Sequence, residues 1–230
     1  MKPRLLDLFC GAGGASMGYY KAGLEVVGVD IEPQPHYPFK FHLADALTYP
    51  LDGFDAYHAS PPCKADNQGV LCRPERGMLR AKYPRLIAPI RERLLLTGKP
   101  FVIENVPLTR GQLRNPIMLC GTMFGLKVKR HRYFELHGFE ILFMPSTCGC
   151  KGKVGFTNAS SGFSSFANGA NLISVAGHNF SVKDAQQAMG INWMGQVGLS
   201  QAIPWAYTYY IGTHMMKLFG AATTTTLLSQ

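Results

Sequence analysis

The stretch DLFCGAGG, residues 7–14, decides the fold of this chain. The apolar run at residues 3–9 predicts a buried strand, and a helix that passes through Met17 and Tyr20 is expected to end at Gly23. Glycines between a strand and a helix let the chain turn sharply and let a ligand approach the backbone closely. Many α/β proteins use such a turn for structure alone, so the surrounding sequence has to decide between the two interpretations.

Strands and helices alternate outward from this turn. Further strands are predicted at 24–29, 54–59 and 101–106. Between the last two, apolar residues recur at helical spacing from Pro84 to Gly98. The alternation predicts an α/β fold with a doubly wound, mostly parallel sheet.

The alternation breaks after residue 137. Residues 145–181 are rich in Ser, Gly, Asn and Thr, and amphipathic helices resume near 182–190 and 200–218. We therefore predict a main domain of residues 1–137 and 184–220, a small irregular lobe over 138–183, and a flexible tail over 221–230.

Composition limits the partners and the location of the protein. The 230 residues carry a net charge of +9, which favours a polyanionic partner such as nucleic acid, although a generally basic surface is the simpler alternative. The six cysteines show no secreted framework and are read as reduced thiols in a cytoplasm. No apolar run reaches the roughly 18 residues that a membrane span requires, so no membrane association is predicted.

Two acidic residues improve the case for a ligand at the glycine-rich turn. Asp30 follows the second strand, where a carboxylate can accept both hydroxyls of a ribose. Asp45 could receive the amino group of an adenine. The turn has no Walker-type Gly-Lys-Ser/Thr and no basic residue before Lys21, which disfavours a phosphate-bearing ligand. An adenosyl sulfonium cofactor therefore fits better than a dinucleotide.

A second group of residues suggests covalent chemistry. Cys63 follows two prolines at the end of a predicted strand, which is how a nucleophile is presented, although a free cysteine is often simply buried. Glu104 ends the next strand and is expected to face the same crevice. Arg130 and Arg132 alternate with other residues, so we expect them to share one face of a strand.

Taken together, these segments resemble the cytosine-C5 DNA methyltransferase family. The matching motifs are DLFCGAGG at 7–14, PPC at 61–63, ENV at 104–106, RHR at 130–132, and QAIP at 201–204 with IG at 211–212. They stand in the family's order and cover roughly residues 1–136 and 184–217. The compact length is similar to that of the short phage and prophage members, which have a reduced target-recognition region.

The resemblance implies a Rossmann-like, monomeric enzyme that methylates double-stranded DNA from S-adenosyl-L-methionine, in restriction-linked modification or phage self-protection. Cys63 would attack carbon 6 of a flipped-out cytosine, and Glu104 would hold or protonate N3. Arg132 would contact O2, and Arg130 would support the loop or the adduct. Methylation of RNA and a non-catalytic DNA-binding role are the alternatives. The residues that the resemblance assigns to the cofactor are Asp7, Phe9, Gly11, Gly13, Asp30, Asp45 and Pro62.

The chain departs from the family beside the proposed nucleophile. Lys64 stands where the family has glutamine, and we hypothesise that it contacts a DNA phosphate or lowers the pKa of Cys63, a solvated lysine being the alternative. Basic residues that follow it are expected to contact DNA phosphates, namely Arg73, Arg76 and Arg80.

Cys148 and Cys150 raise the question of a metal. Together with His137 or His178 they offer three zinc ligands, but the cysteines are separated by a single residue and a fourth ligand is not evident. The sequence therefore predicts packing in the small lobe, and no metal site.

Overall fold

The computed structural model describes residues 1–63, 85–150, 154–155, 172–177 and 180–226, with the backbone alone at 154–155 and 221–226. The predictions for Lys64, Arg73, Arg76 and Arg80 lie outside the described residues, as does His178 as a metal ligand.

A mixed sheet forms the centre of the molecule. In the described residues it has seven strands in the order β3-β2-β1-β4-β5-β7-β6. The first five strands in the chain are parallel, whereas β7 is antiparallel to both β5 and β6. This confirms the predicted doubly wound, mostly parallel α/β sheet. The strands are β1 (Arg4–Leu8), β2 (Glu25–Asp30), β3 (Lys40–Leu43), β4 (Ala56–Ala59), β5 (Phe101–Asn105), β6 (Ile117–Leu119) and β7 (Arg132–His137).

Helices cover both faces of this sheet. On one face α1 (Gly14–Lys21) packs against α5 (Trp205–Thr226), and their buried side chains form a core with Phe134 of β7. On the other face α2 (Ile87–Leu95) buries an apolar stripe against β4 and β5. Both faces of β1, β2, β4 and β5 are therefore largely buried, which explains why these strands read as apolar runs, whereas the edge strand β3 remains partly exposed.

A third core joins the end of the predicted lobe to the main domain. Ile173, Val175 and Phe180 are buried together with α3 (Val182–Met189) and α4 (Gln196–Gln201). The predicted boundary between residues 183 and 184 therefore falls inside a helix. That helix begins with a Ser181 side chain that accepts a hydrogen bond from the Asp184 amide at 3.3 Å, as an N-cap does. Val154–Gly155 and Leu172–Ile173 pair as two short parallel strands, β8 and β9.

The C-terminal segment also differs from the prediction. The helix expected at 200–218 is split by Pro204, and α5 continues to Thr226, beyond the point where a flexible tail was predicted to begin. Residues 221–226 contain neither glycine nor proline, and extending an existing helix costs far less than starting one. Within the described part of the chain, no helix combines the length and the apolar character needed to cross a bilayer.

Candidate active site

The glycine-rich turn lies at the carboxyl ends of β1 and β2. Gly11 and Gly13 adopt left-handed conformations, with φ of +49° and +84°. A Cβ on Gly13 would lie 2.8 Å from Cδ of Pro38, so a larger residue would displace the segment that covers the turn. Glycine is required here both by the backbone conformation and by the close approach of Pro38.

Asp30 holds this turn from the end of β2. Its Oδ2 accepts a hydrogen bond from the Gly11 amide at 2.9 Å, and its Oδ1 accepts one from the Glu32 amide at 3.0 Å. The carboxylate is half-buried and retains lone pairs for a ligand hydroxyl. Ile31, which the sequence analysis did not assign, is 67% exposed beside it. The detectable signal was an apolar residue directly after the acid that ends the strand.

Phe9 adopts a strained conformation at the end of β1. Its φ of +59° is unusual for a residue other than glycine, and such a conformation costs on the order of 1–3 kcal/mol. The ring is only partly buried against the core beneath it. Strain of this kind persists only where the surrounding structure fixes the conformation, and the cofactor contact expected of Phe9 stays a prediction.

Asp7 and Asp45 occupy contrasting places. Asp7 is completely buried beneath the turn, where its carboxyl accepts a hydrogen bond from the Ser16 hydroxyl, and burial raises its pKa to about 7. The structure thus places Asp7 as a support of the turn, away from its surface. Asp45 is exposed, and its Oδ1 accepts a hydrogen bond from the Leu47 amide at 2.8 Å.

The PPC segment leaves β4 and is tied to the next strand. Asn105, the last residue of β5, donates from Nδ2 to the Pro61 carbonyl at 2.8 Å, and its Oδ1 accepts from the Val106 amide at 2.9 Å. Pro61 is buried, Pro62 is exposed and Cys63 is half-buried. The sequence analysis recognised ENV as a motif but assigned no function to Asn105, whose contact spans 44 residues.

Glu104 is a buried acid whose Oε1 faces an arginine. It precedes Asn105 near the end of β5, and its Oε1 lies 3.0 Å from Nε of Arg132, the first residue of β7. Among the described residues its Oε1 has no hydrogen-bond partner, so the pair is a charge contact and not a hydrogen bond. Burial raises the pKa of Glu104, while Arg132 and a hydrogen bond from Ser60 oppose that rise. The structure therefore brings Glu104 and Arg132 together, as expected.

Arg130 does not share a strand face with Arg132, because β7 begins only at Arg132. Its guanidinium is buried and donates to the carbonyls of Val175 and Ser200, the latter at 2.8 Å. Burial lowers the pKa of Arg130, while the nearby Glu104 and Cys63 act in the opposite direction. Arg130 therefore lies within electrostatic range of both predicted catalytic groups, held there by the third core and α4.

A buried chain of polar side chains supports Glu104 from below. The Tyr19 hydroxyl lies 2.9 Å from Nδ1 of His58, and Nε2 of His58 lies 2.8 Å from Oγ of Ser60, which bonds Glu104. Burial lowers the pKa of His58 to about 3, so its imidazole is neutral. This row of polar side chains was not predicted from the sequence, although a polar residue inside the apolar run of β4 was a visible signal.

Comparison with solved structures shows the same fold in three methyltransferases. A protein described as a DNA modification methyltransferase encoded within a prophage (E. coli) superposes with a TM-score of 0.63 at 14% identity, covering 95% of this chain and 100% of that one. Entamoeba histolytica methyltransferase EhMeth gives 0.63 at 13% identity, with coverage of 95% and 99%. S. pombe Dnmt2 methyltransferase gives 0.60 at 15% identity, also with coverage of 95% and 99%.

Sequence comparison adds no assignment. No protein-family model matches the chain. No curated protein matches it either. The similarity covers 95% of this chain and nearly the whole length of each solved structure, so the chain shares their fold.

Proposed function

We propose that the chain is a methyltransferase that transfers a methyl group from S-adenosyl-L-methionine to carbon 5 of cytosine in double-stranded DNA. The observation that carries the proposal is the buried Glu104 carboxylate, whose Oε1 lies 3.0 Å from Nε of Arg132 and accepts no hydrogen bond from the described residues. A buried polar atom without a partner is costly in a folded protein, and a bound base would relieve that cost.

The glycine-rich turn fits the cofactor. Gly11 and Gly13 let the ligand approach the backbone, Asp30 offers a carboxylate to ribose hydroxyls, and exposed Ile31 offers an apolar surface to a flat ring. Phe9 is held in a left-handed conformation at the same edge. When bound there, the sulfonium supplies an activated methyl group to carbon 5.

Cys63 and Glu104 would activate the ring together. Carbon 5 of cytosine is a poor nucleophile, so the Cys63 thiolate first forms a bond to carbon 6. The electron pair of the broken double bond moves into the ring toward N3, where a proton from Glu104 neutralises the developing charge. The raised pKa of Glu104 favours the protonated carboxyl that this step requires.

Release of the product reverses these contacts. Methyl transfer leaves S-adenosyl-L-homocysteine. Carbon 5 then loses its proton to solvent water, the electron pair restores the double bond to carbon 6, and the Cys63 thiolate leaves. The proton on N3 returns to Glu104, so the protein is regenerated. Arg132, held by Glu104 and by a 2.9 Å hydrogen bond to the His131 carbonyl, would contact the cytosine O2. A stacked base cannot reach this buried pair, so the nucleotide has to be flipped out.

The net charge of +9 supports a nucleic-acid substrate, and the prophage-encoded relative supports DNA. The same ring chemistry applies to cytosine in RNA, so the test has to include both polymers. The presence of Cys63, Glu104 and Arg132 together argues against a non-catalytic DNA-binding protein. Binding alone does not require a buried acid with an oxygen that accepts no hydrogen bond.

The proposal is tested with duplex DNA and structured RNA that contain 5-fluorocytosine, together with labelled S-adenosyl-L-methionine. Fluorine at carbon 5 blocks the last elimination, so a covalent protein–DNA complex should accumulate. Cys63→Ala should abolish it, and the control Asn192→Ala, at an exposed position outside the proposed site, should retain it. A complex with RNA alone would change the substrate, and no complex with either polymer would sink the mechanism.

A further inference from the structure

A cluster of three cysteines and one histidine lies outside the proposed active site. The ligand atoms of Cys120, His131, Cys148 and Cys150 all lie within 4.8 Å of one another. The sequence pattern indicated only Cys148 and Cys150 among the cysteines, and no fourth ligand was evident from it. Its candidate His137 instead stacks on Phe101, with ring centroids 4.5 Å apart.

The distances match a tetrahedral metal site. Sγ of Cys120 and Sγ of Cys150 are 3.2 Å apart, and Nε2 of His131 lies 3.4 Å from Sγ of Cys148 and 3.3 Å from Sγ of Cys150. Tetrahedral zinc, with bonds of about 2.3 Å to sulfur and about 2.0–2.1 Å to nitrogen, separates its ligand atoms by roughly 3.5–3.8 Å. The three separations are shorter than these values by about 0.1–0.6 Å, and the remaining pairs of ligand atoms lie within 4.8 Å of one another.

The surroundings of the cluster also resemble a metal site. The Thr122 hydroxyl lies 3.4 Å from Sγ of Cys120 and 3.8 Å from Sγ of Cys148, and it accepts a hydrogen bond from the Gly149 amide at 3.0 Å. Such outer contacts orient thiolates around a metal. The sulfur atoms of Cys120 and Cys150 are too far apart for a disulfide, whose S–S bond is about 2.05 Å.

We propose that these four residues bind one structural Zn²⁺ ion. Three sulfurs and one imidazole nitrogen are a ligand set that zinc prefers, and four protein ligands leave no open position for catalysis. The ion joins three separate parts of the chain: Cys120 after β6, His131 before β7, and the segment after β7 that carries Cys148 and Cys150.

The position of His131 connects this ion to the active site. His131 stands between Arg130 and Arg132, and its side chain points to the cysteines while the two arginines lie near Glu104. The ion also anchors residues 138–150, which follow β7, form the start of the small lobe and contain no helix or strand. Zinc therefore fixes both the arginine segment and the start of the lobe, independently of whether the proposed methyl transfer is correct.

Elemental analysis of the purified full chain tests the proposal. The wild type, expressed with added zinc and exchanged into metal-free buffer, should contain about one zinc per chain. Cys150→Ser should reduce the zinc content to background, whereas Cys10→Ser and Cys63→Ser should retain it. Because Cys63→Ser removes the proposed nucleophile, it separates failure of the zinc site from failure of the methyltransferase proposal.

A second measurement covers the case in which Cys150→Ser does not fold. Wild-type protein stripped by a chelator and titrated with Co²⁺ should develop the visible and near-ultraviolet absorption of tetrahedral cobalt–thiolate, and Zn²⁺ should displace it. Metal-free wild type without a cobalt signal would overturn the proposal. A Cys120–Cys150 disulfide found by mass spectrometry in freshly purified protein would do the same.

Discussion

One buried acid stands on each face of the β5–β7 strand pair, and the two acids are bonded very differently. Glu135 of β7 is bonded on both oxygens: Arg91 donates to Oε1 at 2.7 Å and to Oε2 at 2.6 Å, and the Arg114 amide donates to Oε2 at 2.8 Å. Glu104 of β5 has Oε1 in charge contact with Nε of Arg132 at 3.0 Å, and this Oε1 accepts no hydrogen bond from the described residues.

Burial does not explain the difference, since the side chains of Glu104 and Glu135 are 7% and 4% exposed. A fully bonded buried ion pair fixes packing and has no capacity left for a ligand. An acid such as Glu104, whose Oε1 has a charge contact but accepts no hydrogen bond, is held in place and remains able to exchange a proton. We infer that Glu135 is structural and that Glu104 belongs to the reaction.

Glu104→Gln should have the largest effect on activity. Glutamine keeps the shape but cannot give a proton to N3, so methyl transfer should fall by about 10²–10⁴-fold in a labelled-cofactor assay. The wild-type rate should decline as pH rises through the raised pKa of Glu104, because the proton is then lost, and the variant should lack this decline.

The free energy of unfolding supplies the control for this variant. Because burial raises the pKa of Glu104, the fold disfavours its charged form, and a neutral glutamine should change stability by only about 1 kcal/mol. Glu135→Gln is the matched substitution on the other face and should show the reverse pattern. If the two variants lose stability equally and activity equally, the distinction between the two acids is wrong.

Arg91→Met tests the structural pair directly. Removal of one partner leaves Glu135 buried without its counter-charge, which should reduce the free energy of unfolding by about 3–5 kcal/mol in urea denaturation. The Arg91→Met protein that does fold should still form the covalent complex with 5-fluorocytosine DNA. The double variant Arg91→Met with Glu135→Leu should recover most of the stability, and failure to recover would show that the arginine matters through its Gln112 contact instead.

The contrast also explains which features the sequence could predict. Gly11 and Gly13 were predictable because a left-handed turn between a strand and a helix is a local requirement that glycine meets. Cys63 and Glu104 were predictable because each follows or ends an apolar run, and carboxyl ends of parallel strands meet at one edge of a sheet. These inferences needed only short-range patterns and the order of the strands.

Features set by long-range contacts were not predictable in the same way. Local alternation placed Arg130 on a strand, but its side chain bonds carbonyls 45 and 70 residues away. The residues before it pair instead with β9, where the Lys129 amide donates to the Ile173 carbonyl at 3.0 Å. Cys120 and His131 were missed as partners of Cys148 and Cys150 for the same reason, because only the folded sheet brings them together.

Asp7→Asn sharpens the comparison with a third buried acid that also has an open oxygen. Its raised pKa of about 7 means that the folded state holds a proton that the unfolded state releases above about pH 4. Stability should therefore fall as pH rises from about 4 to 7, and asparagine should remove this loss. At pH 8 we expect the variant to be more stable by a few kcal/mol, at about 1.4 kcal/mol per pKa unit.

Thermal unfolding followed from pH 4 to pH 8 checks this expectation, because wild type and Asp7→Asn should converge at the acidic end, where both side chains are neutral. Equal stability at pH 8 would mean that Asp7 is already charged without cost. Convergence at low pH with a gap at high pH would show that the fold favours the protonated form of Asp7. An unbonded oxygen on a buried acid would then have a structural explanation at Asp7, where none of the described residues that shift its pKa is a cation.

Asn105→Ala should have the smallest effect, and it tests whether the nucleophile depends on the strand that carries Glu104. The substitution removes the hydrogen bond to the Pro61 carbonyl and loosens the PPC segment while leaving Cys63 in the chain. A displacement of about 1 Å can cost up to about 10²-fold in rate, so complex formation with 5-fluorocytosine DNA should slow by about 10–10²-fold. Affinity for the cofactor should change less than the rate, because Pro62 is the one expected cofactor contact in the loosened segment and the glycine-rich turn is formed by β1 and β2. Asn192→Ala, at an exposed position, is the matched control. If both variants react at the same rate, Cys63 is positioned by its prolines alone. Glu104 and Cys63 would then be two independent parts of the site.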